Sequence, residues 1–175
     1  MAVLKQIVEP KKLAGLESVL VGGVAPEAMP RLQAAVLSAR NIQAELSFTN
    51  DERYRIHVQG ELVAEVQREC QRCLEPVWVA LEAQVNLMVV KAESQIAELP
   101  AEVDAWLVLG DSADLYEVLE EELLLAMPYV SYHAEQCVDL ARVGAGDPAD
   151  DEGTVTTDSP FKVLEQLKSP DTKPR

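Results

Sequence analysis

The sequence predicts an α+β fold, a twisted antiparallel β-meander (curling as far as a half-barrel) with helices packed on one side. Two observations lead to this prediction. Apolar and polar residues alternate over three stretches between residues 42 and 89, which is typical of strands with one buried and one solvated face. An amphipathic helical pattern follows at 111–128, and shorter helical stretches precede the strands.

Short elements precede the long strands. The first residues, AVLKQIVEP, predict a short strand that ends at Pro10, and residues 11–17 predict a helical turn. Residues 18–24 are apolar enough for a second strand. The stretch 27–41 has helical composition, and Pro30 must lie in its first turn because proline breaks a helix further along.

Three alternating stretches form the predicted meander. The first spans 42–48 and ends at the polar turn TNDER, the second spans 54–67, and the third spans 77–89. Gly60 interrupts the second stretch and predicts a bend or bulge there. The segment RECQRCLEPVW joins the second and third strands, so we expect it at an exposed hairpin tip.

A helix follows the sheet. After a short predicted strand at 105–109, the stretch DSADLYEVLEEELLLAMP repeats apolar residues at spacings of three and four. Ser112 or Asp114 is the expected N-cap, and Pro128 ends the helix. The acidic run at 120–122 is expected on a solvated helix, so these carboxylates need no catalytic explanation.

The composition suits one domain with a tail. Of the 175 residues 48% are apolar, which is enough for a core, and the predicted α+β domain spans 1–142. Small polar residues predict a disordered acidic linker over 143–159, and SPFKVLEQLK predicts a helical peptide over 160–169. No apolar run approaches the roughly 20 residues that span a bilayer, and no signal peptide is recognisable. We therefore expect a cytoplasmic protein without membrane contact.

The charge is concentrated in one block. The net charge is −15, and residues 92–141 hold 12 acidic residues without a single Lys or Arg. Residues 1–91 are nearly neutral, with 11 acidic and 10 basic residues. An acidic surface repels nucleic acid phosphates and attracts basic partners, although a solubilising face is the simpler interpretation. The candidate contacts for a basic partner are Glu117, Glu120, Glu121 and Glu122.

Cys70 and Cys73 have the C-x-x-C spacing of half a structural zinc site. His133 and Cys137, in YHAEQC, can supply the second pair and complete a Cys₃His set. A redox pair is disfavoured, because such a motif needs a helix N-terminus after it and here a strand follows. The third interpretation is a turn that carries two unmetallated thiols and needs no cofactor.

Arginines gather around the same ribbon. Arg55, Arg68 and Arg72 lie on or beside the predicted hairpins and Trp78 lies close by, so they could contact an RNA backbone and a base. The alternative is surface ion pairing with Glu65, Glu69 and Glu75. No phosphate-binding loop, G-x-S-x-G, H-E-x-x-H or Walker pattern occurs, which argues against an enzyme.

Three blocks of the sequence resemble a known family. ECQRCLEPVWV, DLYEVLEEELLLAMPYVSYHAEQC and SPFKVLEQLK, in this order, are similar to the YceD-type large ribosomal RNA subunit accumulation proteins, and the resemblance covers residues 1–168. It implies a role in ribosome biogenesis, namely the accumulation of 23S ribosomal RNA and large subunits, and no known enzymatic activity. It also implies a four-thiolate metal site in branches with more cysteines in the second block. This sequence has only Cys137 there, so Cys70 and Cys73 can also be the remnant of such a site.

Three functions are consistent with these features. The favoured hypothesis is a non-enzymatic factor whose acidic block binds a basic large-subunit ribosomal protein or assembly factor until ribosomal RNA takes that partner over. The alternative is a module that binds ribosomal RNA directly, through Arg55, Arg68 and Arg72, at a zinc-ordered hairpin tip. An RNA-processing enzyme is the third hypothesis and has the least support.

Overall fold

An open five-stranded sheet forms the centre of the computed structural model, which describes residues 2–139. The strands are β1 (Ile7–Val8), β2 (Val19–Gly23), β3 (Ser38–Asn50), β4 (Ile56–Glu69), β5 (Pro76–Val90), β6 (Asp104–Leu107) and β7 (Ala113–Asp114). The helices are α1 (Pro10–Gly15), α2 (Pro30–Ala35) and α3 (Leu115–Leu125), with 3₁₀ turns at Pro26–Ala28 and Glu93–Glu98. The sheet order is β2-β3-β4-β5-β6, and a separate ribbon pairs β1 with β7.

The predicted α+β meander is confirmed. β3, β4 and β5 are consecutive antiparallel strands of 13, 14 and 15 residues. β2 pairs antiparallel with β3, whereas β6 pairs parallel with β5. Because β2 and β6 lie at opposite edges and do not pair with one another, the sheet stays open rather than closing into a barrel.

The helices cover one face of the sheet, as predicted. Alternate residues of the long strands point into a single apolar core: Ile42, Ala44, Leu46, Phe48, Val58, Leu62, Ala64, Val66, Leu81, Ala83, Val85 and Leu87. α3 packs against this core with Leu115, Leu119 and Leu123, whose spacing of four places them on one side of the helix. α1 and α2 contribute Ala14 and Leu32 to the same core.

The prediction of a bend or bulge at Gly60 is wrong in its position. β4 keeps an unbroken register with both neighbours through Gly60. A side chain there would overlap the carbonyl oxygen of Glu45 on β3, so glycine permits a close approach of the two strands. The bulge lies instead in β3, between Arg40 and Gln43, where Asn41 has a φ of 54°.

α2 is shorter than the helical stretch predicted over 27–41. It begins at Pro30, which takes the first-turn position as expected, and it ends at Ala35. The next residues join β3, which begins at Ser38 and pairs with β4. Strand pairing therefore overrides the helical composition of residues 38–41.

Of the two predicted N-caps of α3, Asp114 is the one used. Its carboxylate accepts hydrogen bonds from the backbone N–H groups of Tyr116 at 2.9 Å and Glu117 at 3.2 Å. The helix ends at Leu125, three residues before Pro128. Both predicted helix boundaries are confirmed.

Glu120 ties α3 to α2. Only 4% of its surface is exposed, so the prediction that the acidic run at 120–122 is solvated is wrong at Glu120. Its carboxylate accepts hydrogen bonds from the N–H of Leu32 at 2.9 Å and from Nε of Arg31 at 3.0 Å. The Leu32 N–H belongs to the first turn of α2, where no intrahelical acceptor exists.

Asp51 closes the β3–β4 turn. It accepts hydrogen bonds from the backbone N–H groups of Arg53 and Arg55, both at 2.8 Å, and from Nε of Arg55 at 2.7 Å. The backbone N–H of Arg55 is the main reason that the pKa of Asp51 falls from 3.8 to about 2. The Arg55 side chain and the Arg53 N–H lower that pKa further, against the effect of burial.

The last part of the chain lies outside the described residues. Residues Met1–Cys137 form one compact unit. The linker predicted over 143–159 and the helical peptide predicted over 160–169 are beyond residue 139, so the division after residue 142 stays a prediction. Within residues 2–139, no helix is both long and apolar enough to cross a membrane.

Replacement of Glu120 by alanine is expected to lower the free energy of unfolding by about 2 kcal/mol, because the buried Leu32 N–H loses its acceptor. Urea unfolding followed by circular dichroism measures this effect. The control is Glu121→Ala at the next, exposed position, which should change stability by less than about 0.5 kcal/mol. Equal effects of the two substitutions would contradict the role assigned to Glu120.

Asp51→Asn is expected to destabilise the protein in a pH-dependent manner. Because the pKa of Asp51 is lowered in the folded chain, its carboxylate stabilises the fold above pH 3.8, and this contribution disappears as the pH falls through about 2. Urea unfolding of wild type and variant at several pH values should show two curves that converge at low pH. Glu52→Gln, which alters the same turn without touching these hydrogen bonds, is the control. A stability difference that is independent of pH would refute the assignment.

Candidate metal centre

The candidate site lies where the β4–β5 hairpin meets the chain that follows α3. Residues 70–75 form the predicted hairpin tip, and residues 128–137 run beside it; we call these two segments together the knuckle. The backbone N–H of Gln71 donates to the carbonyl of Ser131 at 2.9 Å, and Ser131 is buried. This contact brings the second predicted ligand pair beside the first.

The hairpin tip is a tight turn. The N–H of Cys70 donates to the carbonyl of Glu75, and the N–H of Leu74 donates to the carbonyl of Cys70, both at 2.9 Å. Leu74 has a φ of 64°, in the left-handed region, which costs a residue other than glycine about 1 kcal/mol or more. β5 begins at Pro76 directly after the turn, so no helix N-terminus follows the cysteines and the redox interpretation lacks its structural requirement.

Four ligand atoms converge inside the knuckle. Cys70, Cys73, His133 and Cys137 each supply one atom, and these atoms all lie within 4.8 Å of one another. The sulfurs of Cys70 and Cys137 are 3.7 Å apart, and the Cys73 sulfur is 3.4 Å from Nδ1 of His133. A tetrahedral zinc site has edges of about 3.8 Å between sulfurs and about 3.6 Å from sulfur to nitrogen, from its ordinary bond lengths. The cluster therefore has the dimensions of a Cys₃His zinc site, and its thiols are too far apart to be a disulfide.

The His133 ring is oriented from its far side. Nε2 lies 3.2 Å from the carbonyl oxygen of Pro76, which can only accept, so Nε2 carries the proton. Nδ1 is the ring nitrogen that faces the sulfur of Cys73, at 3.4 Å. Metal-binding histidines are commonly fixed by such a hydrogen bond from the second ring nitrogen.

The surroundings of the cluster shift the pKa of Cys70 and the pKa of Cys137 in opposite directions. Burial opposes ionisation of Cys70, but hydrogen bonds from the backbone N–H groups of Cys73, Arg72 and His133 outweigh it and lower the pKa of Cys70 to about 5. Burial raises the pKa of Cys137, and hydrogen bonds with the other two sulfurs raise it further. The lowered pKa of Cys70 favours its thiolate, which is the form of a cysteine that binds a cation such as Zn²⁺.

Two arginines hold the knuckle together. Arg68 donates to the carbonyl oxygen of Pro128. Arg72 donates to the carbonyl oxygen of His133 and, at 3.0 Å, to that of Glu135. Within residues 2–139 neither arginine forms an ion pair, so the predicted alternative of surface ion pairing is wrong for both.

The three arginines predicted to contact RNA do not share a surface. Arg55 lies at the opposite end of β4 from Arg68, about 40 Å away at the usual rise of about 3.3 Å per residue. It is paired with Asp51 at 2.7 Å. Trp78 is covered by the guanidinium of Arg40, which lies 3.9 Å from the centre of its ring. The knuckle therefore brings together only Arg68 and Arg72.

Three of the four predicted partner-binding carboxylates reach the surface of α3. Glu117 and Glu121 are exposed and Glu122 is half-buried, whereas Glu120 is enclosed by its contacts with α2. Burial raises the pKa of Glu122, and the negative charges of Asp104 and Glu121 raise it further. Arg31 of α2 attracts Glu117 and Glu121 as well as Glu120, so one neighbouring cation balances part of the acidic charge on this side of the protein.

Sequence reasoning missed the contacts that support the ligands. The carbonyl of Pro76 orients His133, and backbone carbonyls receive Arg68 and Arg72. Backbone groups have no residue-type pattern, so no motif could reveal these partners. Arg68 and Arg72 were visible beside the two cysteines in the sequence, but their position there suggested contact with RNA rather than with these carbonyls.

Comparisons with known proteins agree with the resemblance found in the sequence. The family model described as large ribosomal RNA subunit accumulation protein YceD matches residues 58–168, a range that contains all four ligands and α3. A protein of Haemophilus influenzae, named large ribosomal RNA subunit accumulation protein YceD, is 30% identical over 164 residues. The match covers 92% of this chain and 94% of that protein. No solved structure matches the chain.

Proposed function

The chain belongs to the YceD family of large ribosomal RNA subunit accumulation proteins, and on that premise we propose that it is a non-enzymatic ribosome biogenesis factor. It supports the accumulation of 23S ribosomal RNA and large subunits in the cytoplasm. It acts by binding a basic large-subunit ribosomal protein or assembly factor through the acidic surface of α3. The observations that carry the first part are the family model over residues 58–168 and the 30% identity with the Haemophilus influenzae protein over 92% of the chain.

The mode of action is supported by the charge of α3. Its segment, residues 92–141, holds 12 acidic residues and no Lys or Arg. Glu120, the most buried carboxylate of this segment in the described residues, pairs with Arg31 at 3.0 Å. Glu117 and Glu121 face solvent. Burial raises the pKa of Glu122, and the negative charges of Asp104 and Glu121 add a smaller repulsion that a cationic partner would relieve. This surface is complementary to a basic protein and repels RNA phosphates.

A factor of this kind holds its partner temporarily. Basic ribosomal proteins associate non-specifically with RNA through phosphate contacts. An acidic surface occupies their cationic side chains until ribosomal RNA, with its much higher charge density, displaces it. Exposed charges affect the rate of such an exchange more strongly than they affect the final affinity.

Charge reversal on α3 tests this proposal. The variant Glu117→Lys, Glu121→Lys, Glu122→Lys should bind the basic large-subunit proteins at least about tenfold more weakly and should fail to restore 23S ribosomal RNA in cells that lack the protein. Binding is measured with the proteins of large subunits after removal of RNA. Glu120 is left unchanged because it stabilises the fold.

The matched control is Glu45→Lys, Glu52→Lys, Glu82→Lys, which changes the net charge equally at exposed positions of the sheet and its turn. It should retain both activities. The proposal fails if the α3 variant keeps both partner binding and RNA accumulation, or if the control loses them equally.

We also propose that the knuckle binds one structural Zn²⁺ ion through Cys70, Cys73, His133 and Cys137. The support is the convergence of the four ligand atoms and the hydrogen bond that orients His133. Three thiolates and one imidazole form a closed tetrahedral set without an open position, as in structural rather than catalytic sites. Zinc would fix residues 128–137 onto the hairpin tip.

The purified protein is expected to contain one zinc ion per chain, and Cys137→Ser should abolish zinc binding without unfolding the sheet, because Cys137 is not part of the core. Elemental analysis measures the zinc, and hydrogen exchange should show loss of protection confined to residues 70–75 and 128–137. His57→Gln, which alters the histidine outside the set, is the control. Zinc content unaffected by Cys137→Ser, or a wild type without zinc, would contradict this site.

Direct binding of ribosomal RNA at the zinc-ordered hairpin tip is the alternative proposal and has less support. Arg68 and Arg72 already donate to backbone carbonyls, and Arg55 lies at the other end of β4. A salt-sensitive affinity for ribosomal RNA that Arg68→Gln and Arg72→Gln remove would favour this alternative over the acidic surface.

A further inference from the structure

The knuckle carries apolar and aromatic side chains that belong neither to the apolar core nor to the set of four metal ligands. Tyr129 is 99% exposed, Leu74 is 66% exposed and Tyr132 is 50% exposed. The guanidinium of Arg72 lies 5.2 Å from the centre of the Tyr132 ring, so this ring has a fixed neighbour. Tyrosine and other large apolar side chains are enriched at the centres of protein–protein interfaces.

Leu74 occupies a position where folding alone favours glycine. Its φ of 64° is strained for any residue with a Cβ, and its exposed side chain gains too little burial to offset that strain. A strained residue whose side chain faces solvent contributes little to the stability of its own chain. Together with Tyr129 and Tyr132, this exposed side chain contributes apolar surface to the knuckle.

The charge of the knuckle favours a basic polypeptide over RNA. Its cations, Arg68 and Arg72, are engaged by backbone carbonyls. Three exposed carboxylates, Glu69, Glu75 and Glu135, lie within the same two segments or next to them in the sequence. A Zn²⁺ ion held by three thiolates and a neutral imidazole would add one further negative charge. Phosphates approaching Tyr129 would meet this negative potential, whereas Lys or Arg would be attracted by it.

The exposed acidic residues of α3 are followed along the chain by exposed apolar residues of the knuckle. Glu117, Glu121 and Leu125 are spaced by four, so they lie on one side of the helix, and all three are exposed. Tyr129 follows four residues after the helix ends at Leu125. The exposed side chains therefore change along the chain from acidic to apolar, within one continuous segment.

We propose that Leu74, Leu125, Tyr129 and Tyr132 form the apolar half of the partner-binding surface. The occupant is a basic polypeptide segment that carries an apolar residue: its Lys or Arg side chains face Glu117 and Glu121, and its apolar residue contacts Leu74 and Tyr129. This inference rests on the proposed function and adds to it the site of contact. It also gives a role to an exposed leucine at a position where the backbone favours glycine.

The test compares Leu74→Gly and Tyr129→Ser with wild type in their binding to large-subunit ribosomal proteins freed of RNA. Each variant should bind about tenfold more weakly, because an exposed anchor is removed. Leu74→Gly should at the same time be at least as resistant to heat as wild type, because it relieves the strained φ. The zinc content of each variant is measured in the same preparations to show that the knuckle is intact.

Tyr54→Gly is the matched control. Tyr54 is also exposed and also has a positive φ, 58°, but it lies in the β3–β4 turn at the other end of the sheet. The Tyr54→Gly variant should bind the ribosomal proteins as tightly as wild type does. Unchanged binding by the two knuckle variants, or an equal loss in Tyr54→Gly, would overturn the inference.

The α3 charge-reversal variant, measured alongside, separates this inference from the proposed function. Loss of binding in that variant alone would overturn the apolar contact and leave the acidic surface standing. A wild type that binds none of the ribosomal proteins would overturn both proposals. Binding of a large-subunit ribosomal RNA fragment that Tyr129→Ser weakens would replace the basic polypeptide by RNA as the occupant.

Discussion

The pairing of the β4–β5 tip with the chain that follows α3 is the constraint on which the functional surfaces depend. Cys70 and Cys137 are 67 positions apart in the sequence, yet their sulfurs lie 3.7 Å from one another. The β-meander fixes the tip, and the packing of Leu115, Leu119 and Leu123 on the sheet fixes where α3 ends. Arg68 then donates to the carbonyl of Pro128, three residues beyond the end of that helix. Without this pairing the ligand set is divided and the knuckle surface does not exist.

The strength of the local pattern decided how much the sequence could predict. The long strands and α3 were predictable, because apolar periodicity persists over more than ten residues in each and tertiary packing follows the same pattern. The burial of Glu120 was not, because its partners Arg31 and Leu32 are 88 or more positions away and no local signal records them. Residues 38–41 were mistaken for helix, since only pairing with β4 makes them a strand.

The residue types of the candidate site could be predicted from the sequence, but the meeting of its two ligand pairs could not. C-x-x-C spacing identified Cys70 and Cys73, and elimination suggested His133 and Cys137. Whether the two pairs meet depends on backbone hydrogen bonds, such as that from Gln71 to Ser131, which residue identity does not encode. The charge block was visible in the sequence, but the structure separates Glu120, which stabilises the fold, from Glu117 and Glu121, which face solvent.

The central claim is that this protein binds a basic ribosomal protein at an acidic, zinc-ordered surface, and does not bind RNA. The most direct measurement is purification of the tagged protein from growing cells at physiological salt, where contacts between exposed charges persist, followed by analysis of protein, RNA and zinc in one preparation. The account predicts a basic large-subunit protein and zinc, without 23S ribosomal RNA. Recovery of large-subunit RNA without a basic protein would contradict it and would make the hairpin tip an RNA-binding site.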